Sequence, residues 1–284
     1  MDNTSRIKET SYEYGEACQL RQADKYRSRE NNHWKSRINL AHTLVDRYAI
    51  SRLKGKATSD ITVVDVGCSI GTFAIEFAKR GYRSYGVDFD PAALKIADQL
   101  SSEENVSPEF ICGDIANWEN KFPPIDIAVC FDIFEHLHDD ELGSLLVSLK
   151  KQLSTDGSLV FHTAPTQYDY IFFRKWYRYL RYPLIPLSFI SPTRFTRLVK
   201  AYASLVDLAL LVVKGETYSE SIRSSGHCNP TTLERLTWIL KRTGYEIVFI
   251  ETAQLYDFKK SIAKRFTGQP VTYRNLYGVA VPRN

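Results

Sequence analysis

The stretch Ile61-Thr62-Val63-Val64-Asp65-Val66-Gly67-Cys68-Ser69-Ile70-Gly71 decides how the rest of the chain is read. Its apolar, β-branched first half predicts a strand buried on both faces within a parallel sheet. Its glycines then predict a tight turn, because a residue without Cβ accepts positive φ and lets the backbone approach a ligand. Residues 72–80 follow with helical apolar spacing, and the first turn of such a helix offers unpaired N–H groups to an anionic group. Strand, glycine turn and helix in that order predict a nucleotide-type cofactor site.

Working outward, strands are expected at 82–88, 108–112, 125–131, 158–162, 245–250 and 276–281, with helices near 92–100, 139–152 and 231–243. Asp90-Pro91 supplies an N-cap and a first-turn proline for the helix that follows. The alternation predicts an α/β fold: a seven-stranded, mostly parallel, Rossmann-like sheet with helices on both faces. Residues 1–57 form an N-terminal helical segment, with helices near 12–29 and 34–53. The spacing of Leu40, Leu44, Tyr48 and Leu53 suits packing on the main domain. Residues 58–165 and 227–284 make the cofactor domain, and 166–226 are a helical insertion after the fifth strand.

Composition narrows the class. The 284 residues are 44% hydrophobic and 25% charged, which excludes a disordered chain. Five cysteines form an odd set without a C-x-x-C pair, and several sit in apolar runs, so free thiols in a reducing compartment are expected. The first residues show no signal-peptide pattern. The most apolar run, 204–213, is too short to span a bilayer and contains Asp207. A cytoplasmic protein is expected, with a net charge of only +4.

Asp88 ends the second strand about 20 residues beyond the glycine turn, where a carboxylate can accept hydrogen bonds from ribose hydroxyls. The G-x-G-x-x-G pattern of dinucleotide sites is missing, which disfavours an NAD-linked oxidoreductase.

Residues 64–71 resemble the first motif of class I S-adenosylmethionine-dependent methyltransferases. Gly86-Val87-Asp88-Phe89-Asp90 is similar to their second-strand acidic loop, and Cys112-Gly113-Asp114-Ile115 to their adenine loop. Residues 125–137, ending Phe131-Asp132-Ile133-Phe134-Glu135-His136-Leu137, resemble the fourth-strand motif of the group containing ubiquinone-pathway O-methyltransferases. The resemblance covers residues 60–165 and 226–281, with Ser69 where many members carry glycine. It implies S-adenosyl-L-methionine as cofactor. Asp65, Gly67 and the turn through Cys68, Ser69 and Gly71 would hold the methionine part, Asp88 the ribose, and Asp114 with Ile115 the adenine. Phe89 and Phe131 would line the base and sulfonium. Loop capping by Asp65 and Asp114, and a plain core role for Phe131, are the alternatives.

Methyl transfer is an in-line displacement that needs alignment and, for a hydroxyl acceptor, a base. His136, beyond the fourth strand, and His227, where the chain re-enters the fold, are the candidate catalytic residues; histidine's ordinary pKa suits the role. His162 is a third candidate, read as a satisfied strand-end residue. The alternative for Glu135 and His136 is capping of the next helix. Asp132, Glu135 and His136 at i, i+3, i+4 would share one helical turn. With His227 they resemble the divalent-metal ligands of small-RNA 2′-O-methyltransferases, but related families carry the Glu-His pair without metal, and none is expected here.

The insertion carries no acidic residue from 170 to 206, while Arg174, Lys175, Arg178, Arg181, Arg194, Arg197 and Lys200 alternate with tyrosine, phenylalanine and tryptophan. It is either a helical cap or a surface for anionic lipid and a lipid-linked acceptor, which would add a peripheral contact at the inner membrane surface. No RNA-binding module is present, so nucleic acid is not an expected partner. The expected function is methylation of a small or lipid-linked hydroxylated acceptor, a prenylated aromatic or a cell-envelope saccharide. The rivals are a non-catalytic cofactor-binding protein of this fold, an RNA 2′-O-methyltransferase and an NAD-linked oxidoreductase.

Overall fold

A computed structural model describes residues 15–28, 32–113, 122–169, 182–215, 227–255 and 273–283. Two helices, α1 (Glu16–Arg27) and α2 (Asn32–Leu44), precede the sheet; α2 runs on through a π-turn, Val45–Ala49, and a 3-10 turn, Ile50–Arg52. Then come β1 (Thr62–Val66), α3 (Thr72–Lys79), β2 (Arg83–Asp88), α4 (Pro91–Glu103), β3 (Glu109–Cys112) and β4 (Ile125–Phe131). A 3-10 turn, Phe134–His136, leads into α5 (Asp139–Gln152) and β5 (Leu153–Thr163). The last elements are α6 (Pro192–Lys214), α7 (Leu233–Arg242), β6 (Tyr245–Ala253) and β7 (Asn275–Pro282).

The sheet has seven strands in the order β3-β2-β1-β4-β5-β7-β6. All neighbours are parallel except β7, which runs antiparallel to both β5 and β6. This is the expected α/β architecture. Strand order reverses between β1 and β4, and the crevice at such a switch point is where open α/β sheets bind ligands.

Alternation along β4 explains how one strand feeds two cores. Ala128 and Cys130 face a layer formed with Leu142, Leu145, Leu146 and Leu149 of α5 and Leu236, Ile239 and Leu240 of α7. Ile127, Val129 and Phe131 face the opposite layer, with Phe73 and Phe77 of α3 and Ala41, Leu44, Val45, Ala49 and Leu53 of the N-terminal segment. The expected packing of Leu44 and Leu53 on the main domain is therefore observed. Asp90 caps α4 through Ala92 N–H at 2.9 Å, with Pro91 in the first turn. β5 and β6 run longer than the sequence suggests: the start of β5 pairs with β4 at Ile125–Leu153 across an irregularity, and pairing with β7 carries β6 on to Ala253.

All five cysteines are free; Cys68, Cys130 and Cys228 are buried. No helix among the described residues is long and apolar enough to cross a membrane.

Candidate active site

The turn after β1 is held by backbone. The N–H groups of Gly67 and Cys68 donate to Val87 O at 2.8 and 3.0 Å, fixing the turn to the tip of β2. Gly67 has φ 69°, and a Cβ there would lie 2.3 Å from Ile133 Cδ1. Gly71 has φ 76°, and its Cβ would meet the Phe110 ring at 2.6 Å. Both positions thus require glycine for conformation and for room. Ser69 itself is left-handed at φ 48°, which explains why glycine suits that position in similar turns. Its N–H donates to Asp88 Oδ2 at 2.8 Å, and Asp90 N–H donates to Oδ1 at 3.0 Å. Asp88 is thereby aimed along the sheet edge before any ligand arrives; burial nevertheless raises its pKa.

A cavity of about 400 Å³ opens at this edge, within the ordinary range for small-molecule sites, roughly 300–1,000 Å³. Gly67, Cys68, Ser69, Asp88, Phe89 and Phe131 line it, and so do His136 and His227. Asp65 and Gly71 are not on its wall. Asp65 is buried behind the turn, where its carboxylate accepts Ala74 N–H at 3.2 Å, and burial lifts its pKa to about 7. It shapes the start of α3 rather than facing the cavity, the capping alternative for this residue. Asp114 and Ile115 lie outside the described residues.

The N-terminal helices cover the cofactor end. Gln19 of α1 accepts a hydrogen bond from Ser69 Oγ at 2.7 Å, and Tyr26 donates to Glu76 Oε1 at 2.6 Å. Gln19, Trp34 and Arg37 all line the cavity. Sequence reasoning missed them, although a signal exists: Gln19 shares a helix face with Ala23 and Tyr26, and Arg37 with Ala41 and Leu44. A polar residue inside an apolar stripe marks a buried partner.

Arg37 finds that partner in Asp132. Its guanidinium donates through Nε and through Nη2, the latter at 3.2 Å. His162 Nδ1 lies 2.7 Å from Asp132 Oδ1, and His162 Nε2 lies 2.9 Å from Asn275 Oδ1. Burial would raise the Asp132 pKa, but Arg37 and His162 together hold it well below the usual carboxylate range. His162 is fully buried; Nε2 is bonded to Asn275, while Nδ1 lies beside Asp132 without hydrogen-bond geometry, so the reading of a satisfied strand-end residue holds on one side of the ring only.

Asp132 stands at φ 56°, so it breaks the helical phase with Glu135 and His136. The i, i+3, i+4 reading therefore fails: Asp132 pairs with Arg37 and His162, and its carboxylate is not among the ligand atoms that Glu135 and His136 bring together. The capping alternative for Glu135 and His136 fails as well. α5 begins at Asp139, and it is Glu141 that accepts the His138 N–H, at 2.8 Å.

Glu135 and His136 instead meet His227. Asn229 stitches the two segments together: its N–H donates to Glu135 O at 2.8 Å and its Nδ2 to Leu137 O at 2.7 Å. The His136 and His227 rings stack, with centroids 4.9 Å apart. Ligand atoms of Glu135, His136 and His227 lie within 4.8 Å of one another. Glu135 is buried, accepts the Thr163 hydroxyl at 2.7 Å, and is pushed up to about 7 by burial first and the Asp132 charge second.

A buried group gives a direct test of fit for a cofactor. The Thr72 hydroxyl, on the cavity wall at the start of α3, has no hydrogen-bond partner among the described residues. With the glycine turn and the pre-aimed Asp88, it suits a ligand carrying ribose hydroxyls and a polar amino-acid tail.

Fold and site together define a class I S-adenosylmethionine-dependent methyltransferase, whose cofactor is S-adenosylmethionine. The family model described as "Methyltransferase domain" matches residues 34–203, and the chain belongs to that family. It is 23% identical over 118 residues to a ubiquinone biosynthesis O-methyltransferase of Rickettsia bellii, a match covering 41% of this chain and 48% of that protein. It is 32% identical over 117 residues to the magnesium-protoporphyrin O-methyltransferase of Rhodobacter capsulatus, covering 41% of this chain and 50% of that one. The matched region thus spans about half the length of these relatives. Among solved structures, the PH0226 protein of Pyrococcus horikoshii OT3 shares the fold with a TM-score of 0.54 at 15% identity, covering 89% of this chain and 92% of its own. An S-adenosylmethionine-dependent methyltransferase of Clostridium acetobutylicum also scores 0.54, at 11% identity, with 88% and 92% covered.

Proposed function

We propose that this protein transfers a methyl group from S-adenosylmethionine to the hydroxyl of a small or lipid-linked acceptor, with a prenylated aromatic or a cell-envelope saccharide as the leading classes. One observation carries the reading: His136 and His227 line the same cavity as the Gly67–Ser69 turn and Asp88. When bound, the cofactor supplies a methyl already made electrophilic by its sulfonium. Gly67, Cys68, Ser69 and Thr72 hold the amino-acid part, Asp88 accepts the ribose hydroxyls, and Phe89 and Phe131 exclude water from the reacting end. Asp114 and Ile115 are assigned the adenine. His136 or His227 accepts the proton that the acceptor hydroxyl gives up as the new oxygen–carbon bond forms. The O-methyltransferase names of the two relatives agree with this chemistry.

Calorimetry with S-adenosylhomocysteine, NAD and NADP tests the cofactor, and radiolabelled methyl transfer to catechol-type acceptors tests the reaction. His136→Ala and His227→Ala should lower turnover by about 10²-fold or more while sparing S-adenosylhomocysteine binding. Binding of an NAD species alone would sink the methyltransferase reading; binding of S-adenosylhomocysteine with no transfer to any acceptor would favour the non-catalytic rival.

A second reading of the acceptor end has its own observation, the convergence of Glu135, His136 and His227. Such a set would suit a divalent cation that orients the acceptor hydroxyl and lowers its pKa. Elemental analysis of the purified protein and activity after chelation decide between base and cation.

The exposed face of α6 supports a membrane-side acceptor. Leu205, Leu208, Val212 and Val213 are more than half exposed, and Arg194 and Arg197 are exposed near its start. An apolar stripe with cations beside it suits an anionic lipid surface. Residues 170–181, the most basic part of the insertion, lie outside the described residues. Flotation with anionic vesicles should retain the wild type and lose a Leu208→Glu/Val212→Glu variant; loss of both at low salt would leave the insertion a cap.

A further inference from the structure

The acceptor end of the cavity contains a cation that the transfer chemistry does not use. Arg274 immediately precedes β7, and its main chain is pinned from the loop after β5. Thr166 N–H donates to Arg274 O at 2.9 Å, and the Thr166 hydroxyl donates to Tyr273 O at 2.6 Å. The guanidinium pairs with Asp169 through one nitrogen at 3.4 Å, a long contact to a carboxylate with no exposure of its own. Nε is buried without a hydrogen-bond partner among the described residues. The side chain keeps 21% exposure and lines the cavity together with Glu135, His136, Ala164 and His227.

The charges around it do not cancel it at the cavity surface. Asp169 stands behind it, fully buried. Asp132 is engaged by Arg37 and His162. Glu135 accepts the Thr163 hydroxyl. The other cavity arginine, Arg37, is already committed to Asp132. An arginine carries five donors in a planar fork that matches an oxyanion, and a partly exposed fork with one long contact has donors to spare.

We infer that the acceptor carries an oxyanion, a carboxylate or a phosphate ester, in addition to the hydroxyl that is methylated, and that Arg274 binds it. This rests on the methyltransferase reading of the same cavity. Two anchored groups on one acceptor fix its orientation: the oxyanion at Arg274 and the reacting hydroxyl at His136 and His227.

The test uses matched probes on the full chain saturated with S-adenosylhomocysteine. Calorimetry compares 3,4-dihydroxybenzoate with catechol, and phenyl phosphate with phenol. The wild type should bind the charged member of at least one pair about tenfold tighter or more, and the pair that shows it separates carboxylate from phosphate. Arg274→Gln should abolish that preference and leave S-adenosylhomocysteine affinity unchanged. If loss of the guanidinium beside Asp169 unfolds that variant, the neutral pair Arg274→Gln/Asp169→Asn takes its place. Equal binding within both pairs by the wild type would overturn the inference, as would a preference that survives loss of the guanidinium. Failure of S-adenosylhomocysteine to bind at all would instead bring down the cofactor assignment, so the two failures are told apart.

Discussion

The two ends of the cavity are built in different ways. At the cofactor end, the turn after β1, Asp88 at the tip of β2 and the Asp90 N–H belong to one stretch of the chain, 65–90, and bond to one another largely through backbone. At the acceptor end, the wall comes from residues 132–136, the end of β5, the strap at 227–231 and the start of β7. Side chains join these pieces across separations of 28, 92 and 113 residues, as in Thr163–Glu135, Asn229–Leu137 and His162–Asn275. A site fixed by backbone tolerates changes in its surroundings; a site assembled from distant side chains depends on each tie.

The sharpest test of that difference is Arg37→Met. The change leaves Asp132 half-enclosed and charged without its main partner, and breaking one side of a buried pair costs about 3–5 kcal/mol. A Tm fall on the order of 6–15 °C is expected for a domain of this size. Arg37→Met/Asp132→Asn should recover most of it, since asparagine also accepts the left-handed backbone at φ 56°. A melt unchanged by Arg37→Met would show that the network does not tie the N-terminal segment to the sheet.

Asp88→Ala should act at the other end and more weakly. It removes an acceptor that the turn has already aimed, so S-adenosylhomocysteine affinity should fall by about 1.5–3 kcal/mol in calorimetry. Affinity equal to wild type would move the ribose contact elsewhere.

The same contrast explains what could be read before the fold was known. The strand, the glycine turn, Asp88 and the Asp90-Pro91 cap form local patterns whose reasons lie within a few residues, so the cofactor end was legible. His136 and His227 were legible as candidates, because each lies where a strand or an insertion meets the sheet edge. The family resemblance grouped them with Glu135, but no local pattern carries their meeting, since it depends on Asn229 reaching back over 92 residues. Asp65 carried a local signal that the structure resolves differently: one carboxylate can face a ligand or cap a helix, and the direction is set by how α3 packs. The role of Asp132 turned on a positive φ, which no side-chain pattern announces. Arg274 gave no periodic signal, as it sits one residue outside a strand.

Glu135 offers the smallest effect and the finest test, because it belongs to the acceptor end yet titrates near neutrality. Its pKa is raised from the ordinary carboxylate value to about 7, with burial the main cause. The native state therefore holds this proton over a range in which the unfolded chain has released it. Stability from this group is fully present below its unfolded pKa and is lost as pH rises through about 7. Asp65, also lifted to about 7, gives a parallel loss, whereas Asp132, held low, stabilises the fold throughout this window and loses that contribution only as pH falls through and below the carboxylate range. Glu135→Gln keeps an acceptor for the Thr163 hydroxyl and removes the titration. Between pH 5 and 7.5 the variant should lose a few degrees less in Tm than the wild type, with the Asp65 share of the slope remaining. Parallel melting curves across that range would mean that Glu135 is already ionised in the folded protein. In that case the acceptor wall carries a standing negative charge beside His136 and His227, and a cation at that cluster becomes the better account of its chemistry.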